Sequence, residues 1–384
     1  MGPNSDRRVA LVLAAVLALG LGGVTASLTM PGAADPSPTP GGVALASLGP
    51  SASRVAPAGS RAQGGSVAPS AKATVKPSTK PAAPSVKPGP TPTPTPAPKA
   101  TPTPAPVAPR ALTACPIFPA SNVWNKRVDS LPVAADSGAM VAAIGLTRSL
   151  HPDFSAAGGY GIPYNIVGTA TPRRAVTFQY ASESDRVKYP IPAKPRIEGG
   201  SDRHLLMVDT SACKLYELFA AVLTGGQWHA GSGAVWDLRS NHLRPAGWTS
   251  ADAAGLPIFP GLVRYEEVAR GAINHAIRFT APQTCSGYVY PARHQAGSGS
   301  CSVRPPMGLR VRLKASVNIS GYGLQARIVL TALKRYGMIL ADNGSPWYIT
   351  GAPNPKWNDD VLHALGGIKG SDFEVVDTSG LVNG

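Results

Sequence analysis

The sequence predicts a mainly β fold with peripheral α-helices: one antiparallel, β-sandwich-like domain that follows a disordered Pro-rich tether. Every Phe, Tyr and Trp lies at or beyond Phe118, so only residues from about 113 to 384 contain the apolar bulk that a core requires. Short apolar runs bounded by turn residues recur in this region, as is typical of strands. Segments with a helical period are fewer. About 270 residues are enough for one large domain.

Eight short apolar segments are predicted to form strands. In chain order they are RAVTFQY, RHLLMVD, KLYELFAAV, GAVWDL, HAIRFTA, GLRVRLKA, YGMILA and PWYIT. Asn343 and Gly344 lie between the last two segments, a pair typical of hairpin turns. We therefore expect these two strands to pair as an antiparallel hairpin, with a turn lengthened by Pro346.

Three segments have helical signals. LQARIVLTALKRYG places apolar residues on one face and is followed by the terminator Gly337, so it predicts a helix that packs on the sheet. WNDDVLHAL begins with Asn358 as a cap and has acids in its first turn. SGAMVAAIGL is the third. Since strands outnumber helices, the sheet-rich fold class is favoured.

The stretch GWTSADAAGLPIFPGLVRYEEV contains carboxylates, and paired carboxylates are the usual groups that hydrolyse glycosidic bonds. Thr249 and Asp252, however, match the capping box of a short helix. Pro260 opens a second helix, on which Glu266 and Glu267 are expected to face solvent. Helix formation accounts for each of these residues, so the stretch is interpreted as scaffold.

The N-terminus has the pattern of an export signal in residues 1–30, where Arg7 and Arg8 precede about twenty-two uncharged residues. Small residues ending at Ala26 suit a cleavage site, but the run is also long enough to remain as a membrane anchor, so both outcomes stay open. Residues 31–112 are rich in Pro, Thr and Ala and predict a disordered linker, on the order of 200 Å long when extended.

The formal net charge is +15, and the folded region and the segment before it share it about equally. Dispersed basic residues on an exported tether favour attraction to an anionic wall or membrane surface. No pattern of a known nucleic-acid-binding module is present. We expect an extracellular or cell-surface monomer whose partner is polysaccharide or cell wall, not nucleic acid, and which contacts membrane only through an uncleaved N-terminal segment.

The four cysteines all lie in the folded region, and three disulfide pairings are possible. Cys285 and Cys301 bracket the Gly/Ser-rich loop SGYVYPARHQAGSGS, so we expect them to pair and to stabilise the fold by roughly 3 kcal/mol. Cys115 and Cys213 then pair by elimination. A metal site is the alternative, but the sequence contains no CxxC pair, and no metal or other cofactor is expected.

Two segments supply candidate catalytic residues. In RIEGGSDRHLLMVD, Glu198, Asp202 and His204 surround a Gly pair just before a strand, where they suit either acid–base chemistry or a turn. In GAVWDLRSN, strand alternation puts Asp237 beside apolar Val235, where burial would raise the pKa of a general acid; an edge-strand ion pair is the alternative. Asp237 and Glu198 are the expected acid and base or nucleophile, oriented by Asp202 and His204.

Candidate substrate-binding residues lie on other strands. In LRVRLK, Arg310, Arg312 and Lys314 alternate with apolar residues, so three cations line one face of a strand. Planar Arg side chains suit carboxylated or phosphorylated glycans, and exposed Trp side chains suit sugar rings. A solvated outer sheet face is the alternative. The expected substrate-binding residues are Trp236, Arg278, Arg310 and Arg312.

A family resemblance spans nearly all of residues 115–384. This region is similar to a family of secreted bacterial proteins of unassigned function, in the segments WTSADAAGLPIFPGLVRYEEV, NHAIRFT, PPMGLRVRLKAS, ALKRYGMILADNG and WYITGAP. The resemblance implies one exported domain that begins near CPIFPASNVWN. It implies no reaction and no catalytic residues.

Signature motifs of several enzyme classes are absent from the sequence, namely GxSxG, HExxH, the P-loop and a GxGxxG that follows a strand. Export, the tether, the Trp residues and the carboxylates together favour a domain that acts on extracellular polysaccharide. Hydrolysis of glycosidic bonds is the reaction expected of an enzyme of this kind. A non-catalytic glycan-binding or wall-binding adhesion domain is the alternative.

Overall fold

The structure is a computed structural model that describes residues 111–157 and 159–381. The segment expected to be a signal or anchor, 1–30, lies outside the described residues, as does all but the end of the expected linker, 31–112. Among the helices that are described, none is long and apolar enough to cross a membrane.

Most regular structure in the described residues is strand. The strands, in chain order, are β1 (His151–Asp153), β2 (Tyr164–Val167), β3 (Arg173–Arg174), β4 (Val176–Phe178), β5 (Tyr189–Pro190), β6 (Leu205–Asp209), β7 (Lys214–Phe219), β8 (Val222–Thr224), β9 (Gln227–Ala230), β10 (Ser232–Asp237), β11 (Ile277–Ala281), β12 (Arg310–Leu313), β13 (Met338–Asn343), β14 (Tyr348–Thr350) and β15 (Phe373–Val375). The α-helices are α1 (Ser137–Ile144), α2 (Tyr265–Ala269), α3 (Leu324–Arg335) and α4 (Asp359–His363).

Two larger sheets organise the domain. One has six strands in the order β1-β14-β11-β13-β12-β15, and the other has four in the order β10-β7-β6-β2. Two small sheets, β3-β5 and β4-β9-β8, complete the described strands. Antiparallel pairs outnumber parallel ones. The predicted mainly β fold class is confirmed, and each of the eight segments with strand signals contains a strand.

One apolar core joins the two larger sheets. On β6, Leu206 and Val208 belong to this core together with Phe279 of β11. The alternate residues Leu205 and Met207 belong to a second apolar cluster, which includes residues of the small sheets. Successive strand side chains point to opposite faces, so both faces of β6 are covered. This explains why its sequence is a continuous apolar run instead of an alternating one.

The predicted hairpin between β13 and β14 is wrong. The two strands do not pair, because β11 lies between them, parallel to β13 and antiparallel to β14. The loop after β13 crosses the end of β11, where Gly344 N donates to Ala281 O at 2.9 Å and Trp347 N donates to Thr280 O at 3.2 Å. The loop therefore spans the width of an inserted strand, which a local turn signal cannot reveal.

The three predicted helices are present as α1, α3 and α4. Gly337 follows α3 with φ of 64°, the left-handed conformation in which glycine commonly ends a helix. At the start of α4, the Asn358 side chain accepts a hydrogen bond from Val361 N at 3.0 Å, as expected of a cap. The predicted end signal of α3 and the predicted start signal of α4 are therefore both present.

The stretch GWTSADAAGLPIFPGLVRYEEV is built differently from the prediction. Turns and bends replace the first predicted helix, and Asp252 is buried against Arg278 instead of capping a helix. Pro260 lies in a 3-10 turn, and the α-helix begins later, at Tyr265. Glu267 is buried rather than solvent-facing, because Arg264 donates to it at 2.6 Å.

Both expected disulfides are confirmed. Cys115 is bonded to Cys213 across 98 positions of sequence, and Cys285 is bonded to Cys301 across 16. The sequence contains no other cysteine. Because disulfides persist in oxidising compartments, this pairing is compatible with an extracellular location.

Candidate functional site

A cleft of about 500 Å³ opens where the two larger sheets meet. We call it the acidic cleft. The four-stranded sheet contributes Phe219 and Ser232 to its wall, and the six-stranded sheet contributes Asp342 and Asn343. The remaining lining residues come from connecting loops: Tyr180, Glu183, Asp202, Thr249, Ser250, Ala251, Asp252, Ala253, His294 and Ala296. Loop residues held by rigid strands are a common arrangement for a binding or catalytic site.

The Arg278 side chain, on β11, is buried under the cleft and fixes Asp252. Its Nε and Nη2 donate to the two carboxylate oxygens of Asp252 at 2.9 and 2.7 Å, and its Nη1 donates to Thr350 Oγ1 at 2.6 Å. The Asp252 side chain has no exposed area. This paired, fully buried carboxylate is therefore a fixed part of the cleft wall and is not accessible to a ligand.

Asp342 is the second carboxylate beside the same guanidinium. Its Oδ2 lies 3.6 Å from Arg278 Nη2, and 27% of its side chain is exposed in the cleft. Burial and the negative charge of Asp252 raise the pKa of Asp342 to about 7. Arg278 cannot fully neutralise both acids, because its two best hydrogen bonds to carboxylate already go to Asp252. Asp342 can consequently hold and release a proton near neutral pH.

Glu198, which is partly exposed, and His204, which is buried, form an ion pair next to a loop that lines the cleft. His204 Nδ1 contacts Glu198 Oε2, and its Nε2 lies 3.0 Å from the carbonyl oxygen of Ala251. Both ring nitrogens therefore face acceptors, which suits an imidazolium. Burial lowers the pKa of His204, but the hydrogen bond with Glu198 and its charge outweigh burial and raise it. Since Ala251 precedes Asp252, this pair positions the loop that lines the cleft.

Asp202 and His294 lie on the lining loops. The Asp202 carboxylate is exposed and accepts a hydrogen bond from Ser201 Oγ at 3.1 Å. His294 Nδ1 lies 2.9 Å from the carbonyl oxygen of Ala253, which can only accept, so Nδ1 is the donor. Tyr180, 46% exposed, and Phe219 add aromatic surface to the same wall.

The predicted partnership of Asp237 with Glu198 is not formed. Ser232, at the start of β10, lines the cleft, whereas Asp237 ends that strand five residues later, roughly 17 Å away at the usual rise per residue. Asp237 is exposed, not buried, and accepts from Arg239 N at 2.9 Å. Trp236, 5% exposed, packs in the main core and cannot stack on a sugar ring.

The predicted cationic stripe on β12 is not available to a ligand either. Arg310 is buried, and its guanidinium donates to backbone carbonyls of Tyr336 and Val123 at 2.8 and 3.2 Å. Burial lowers its pKa to about 9. Arg312 is half-buried and paired with Glu374 at 2.7 Å. The N-terminal segment around residues 123–131 covers this face, which strand alternation alone could not show.

Of the predicted site residues, the structure brings together Glu198, Asp202, His204 and Arg278 at or behind the acidic cleft. Sequence reasoning missed Asp342. A usable signal was present, because this acid lies near the end of the apolar segment YGMILA, where functional polar residues often occur. Asn343 and Gly344, which follow Asp342, instead indicated a hairpin turn at this position.

Within the described residues, no group of three or more His, Cys, Asp or Glu side chains is arranged to bind a metal ion. A comparison with protein-family models, curated proteins and solved structures finds no match to this chain. The resemblance to a secreted bacterial family therefore stays a prediction, and function has to be argued from the cleft.

Proposed function

We propose that this protein acts on extracellular or cell-wall polysaccharide at the acidic cleft and hydrolyses glycosidic bonds there. The observation that supports this most is Asp342, a partly exposed acid with a raised pKa in an open cleft that also contains other carboxylates. Glycosidases use an acid with a raised pKa to protonate the leaving oxygen, and a second carboxylate to complete the reaction.

In this mechanism Asp342 donates its proton to the glycosidic oxygen as the bond to the anomeric carbon breaks. Asp202, from the loop before β6, takes a proton from the water that attacks that carbon, so one water is consumed for each bond cleaved. Asp252, which Arg278 holds in place, helps to raise the pKa of Asp342, although the positive charge of Arg278 itself opposes this rise. Tyr180 and Phe219 offer apolar surface to the C–H face of a sugar ring.

An extracellular location is part of the same proposal. The expected export segment and the Pro-rich linker would place the domain outside the cell membrane, and the two disulfides are compatible with that compartment. Polysaccharide is abundant there, and an acidic cleft with aromatic walls suits a ligand that has many hydroxyl donors.

The test is to incubate the purified full chain with a panel of wall and environmental glycans and to measure new reducing ends. We expect release from at least one glycan, a decline in rate as pH rises through about 7, where Asp342 loses its proton, and about a 100-fold or greater loss for Asp342→Asn. Asp237→Asn is the matched control and should keep the full rate. Equal rates for both variants would contradict the assignment of Asp342.

A second candidate, a non-catalytic glycan-binding domain, is favoured by one observation. Asp252, which shares the Arg278 guanidinium with Asp342, has no exposed side-chain area and cannot act on substrate. The same panel distinguishes the two functions. Retention of glycan on the protein without any new reducing ends would establish binding alone and would reject hydrolysis.

A further inference from the structure

A second cleft, of about 390 Å³, adjoins the acidic cleft. We call it the basic cleft, because its lining includes His242, Arg244 and Arg293, and no Asp or Glu of the described residues lines it. Arg293 lines the basic cleft, and the next residue, His294, lines the acidic one. Consecutive Cα atoms are about 3.8 Å apart, so one extended ligand is long enough to contact both clefts.

Arg244 is part of the wall between the two clefts. Its Nη1 donates to Asp185 Oδ2 at 2.6 Å, while its Nε and Nη2 donate to the carbonyl oxygens of Thr249 and Glu183 at 2.8 and 2.6 Å. Thr249 and Glu183 both line the acidic cleft. The charge of Arg244 is therefore balanced by Asp185, and its donors are committed to holding the lining loops in place.

Arg293 is fixed in position, but its charge has no partner. Its backbone nitrogen donates to Ala254 O at 2.8 Å, its carbonyl oxygen accepts from Gly247 N at 2.7 Å, and its Nε donates to Arg244 O at 2.8 Å. Neither Nη atom has a hydrogen bond or ion pair with another residue in the part of the chain that the structure describes. This half-buried guanidinium therefore presents two parallel donors, the arrangement that matches the two oxygens of a carboxylate.

Neutral donors of the same cleft add to this pair. Ser240 Oγ accepts a hydrogen bond from His242 N at 3.1 Å, so its hydroxyl hydrogen remains to be donated. The hydroxyl of Tyr290 has no hydrogen bond to another described residue, and its ring offers apolar surface to the C–H face of a sugar. The cleft thus combines one unpaired cation, hydroxyl donors and an aromatic ring.

We propose that the basic cleft binds the carboxylate of a uronic acid, so that the two Nη groups of Arg293 donate to its two oxygens. Hydrogen bonds between charged groups are about twice as strong as neutral ones, which rewards a carboxylate over a hydroxymethyl group at that position. The volume of about 390 Å³ lies within the range of small-molecule sites.

This inference rests on the proposed function and narrows its substrate class to acidic polysaccharide. The sugar that carries the carboxylate occupies the basic cleft, while a neighbouring sugar of the same chain lies in the acidic cleft. The two clefts share no lining residue, so the bound anion is held apart from Asp202 and Asp342. Asp342 keeps its proton and its role as acid.

The Cys285–Cys301 disulfide closes the loop that contributes Tyr290 and Arg293 to the cleft. This bond limits the conformations of the loop, so less conformational entropy is lost when a ligand binds. The donors of the basic cleft are therefore preorganised by the same loop closure that the sequence predicts.

The experiment is calorimetric titration of the full chain, at neutral pH and physiological salt, with two matched pairs of oligosaccharides. One pair is β-1,4-linked glucose and glucuronic acid, the other α-1,4-linked galactose and galacturonic acid. In at least one pair we expect the uronic oligomer to bind about 10- to 100-fold more tightly than the neutral one. Arg293→Gln should abolish this preference. Arg293→Lys keeps the charge without the paired donors and should lose most of it, and this variant decides the question if Arg293→Gln does not fold.

Arg239→Gln is the matched control. Arg239 is exposed, does not line the basic cleft, and also donates one side-chain hydrogen bond to a carbonyl oxygen, from Nη1 to Ala212 O at 3.1 Å. This variant removes the same charge and should keep the preference. An equal loss of preference in Arg239→Gln and Arg293→Gln would show general attraction of anions and would overturn the inference.

Other outcomes separate this inference from the proposed function. Equal binding within both pairs, or no binding of any oligomer, would overturn the uronic acid assignment, while cleavage in the reducing-end panel would leave the proposed function standing. A uronic preference that depends on Arg293, without new reducing ends from any glycan, would support the binding site and reject hydrolysis. A short polyglutamate that competes as tightly as the uronic oligomer would show that the site does not recognise sugar, and the inference would fail.

Discussion

Single buried charges hold the loops of this domain in place. Glu267 accepts from Arg264 Nη2 at 2.6 Å and contacts His275 Nε2 at 3.0 Å. Burial raises the pKa of Glu267, but Arg264 and His275 outweigh burial and lower it to about 2. Glu217, on β7, has no cationic partner of this kind among the residues that the structure describes; it accepts backbone hydrogen bonds from Ile258 and Phe259 at 2.9 and 2.8 Å. The pKa values of these two buried glutamates are therefore shifted in opposite directions, down for Glu267 and up for Glu217.

Glu217→Gln should change how stability depends on pH. Burial raises the pKa of Glu217 from 4.5 to about 7, although the hydrogen bonds from Ile258 and Phe259 oppose this. Between these two pH values the folded protein binds more protons at this site than the unfolded chain, so stability from this group is lost as pH rises. Relative to the variant, the wild type should lose about 3 kcal/mol of unfolding free energy from pH 4.5 to pH 7.

Urea unfolding of both proteins across that pH range measures this difference. The comparison cancels other titrating groups, such as His204, because they are present in both proteins. A difference in unfolding free energy that stays constant with pH would show that Glu217 has an ordinary pKa in the fold.

The residues at the end of a helix fix its position on the sheet as much as its apolar face does. The helix α3 packs on β12, with Ile328, Val329 and Leu333 among its buried residues. It ends at Arg335, and Gly337, two residues later, turns the chain directly into β13. A β-carbon at Gly337 would lie 2.2 Å from the carbonyl oxygen of Val311, which belongs to a fixed strand. Only glycine allows the helix to end this close to the sheet.

Two glycine-to-alanine substitutions should therefore have opposite effects. Gly337→Ala should destabilise the fold by about 2 kcal/mol or more, because φ is positive and the new methyl group meets backbone. Gly138, inside α1, has no atom within 4 Å of an added β-carbon, so Gly138→Ala should stabilise by about 0.5 kcal/mol. Thermal unfolding measures both. Equal shifts in the same direction would refute this account of the helix end.

At the scale of the whole molecule, the two disulfides constrain the chain to different extents. The bond between Cys115 and Cys213 ties the start of the described domain to the turn between β6 and β7, across 98 positions. The bond between Cys285 and Cys301 closes a local loop across 16 positions. A longer closed loop removes more conformational freedom from the unfolded chain, so the first bond should stabilise the fold more.

Replacement of each pair by serine tests this difference. The Cys115→Ser, Cys213→Ser double variant should lose about 4 to 5 kcal/mol, and the Cys285→Ser, Cys301→Ser double variant about 3 kcal/mol, by the loop-entropy relation. Guanidinium unfolding of the oxidised full chain gives both values. A larger loss from the short loop would mean that native contacts, and not chain entropy, determine the effect.

The amino-acid sequence by itself determined the elements. Strand segments, the three helices and their ends at Asn358 and Gly337 follow from local periodicity and capping, and the disulfide pairs follow from loop spacing. It also identified Glu198, Asp202, His204 and Arg278 as candidate site residues, because polar residues stand out when they lie in or next to an apolar strand segment.

Only the tertiary structure decided which of these residues meet and which are covered. The insertion of β11 between β13 and β14 brings Arg278 beside Asp342, while a distant segment covers Arg310 and leaves it no access to a ligand. Strand order and burial depend on contacts between residues far apart in the chain. Alternation within one strand assigns a side chain to a face, but the packing of other segments determines whether that face meets solvent, core or a cleft.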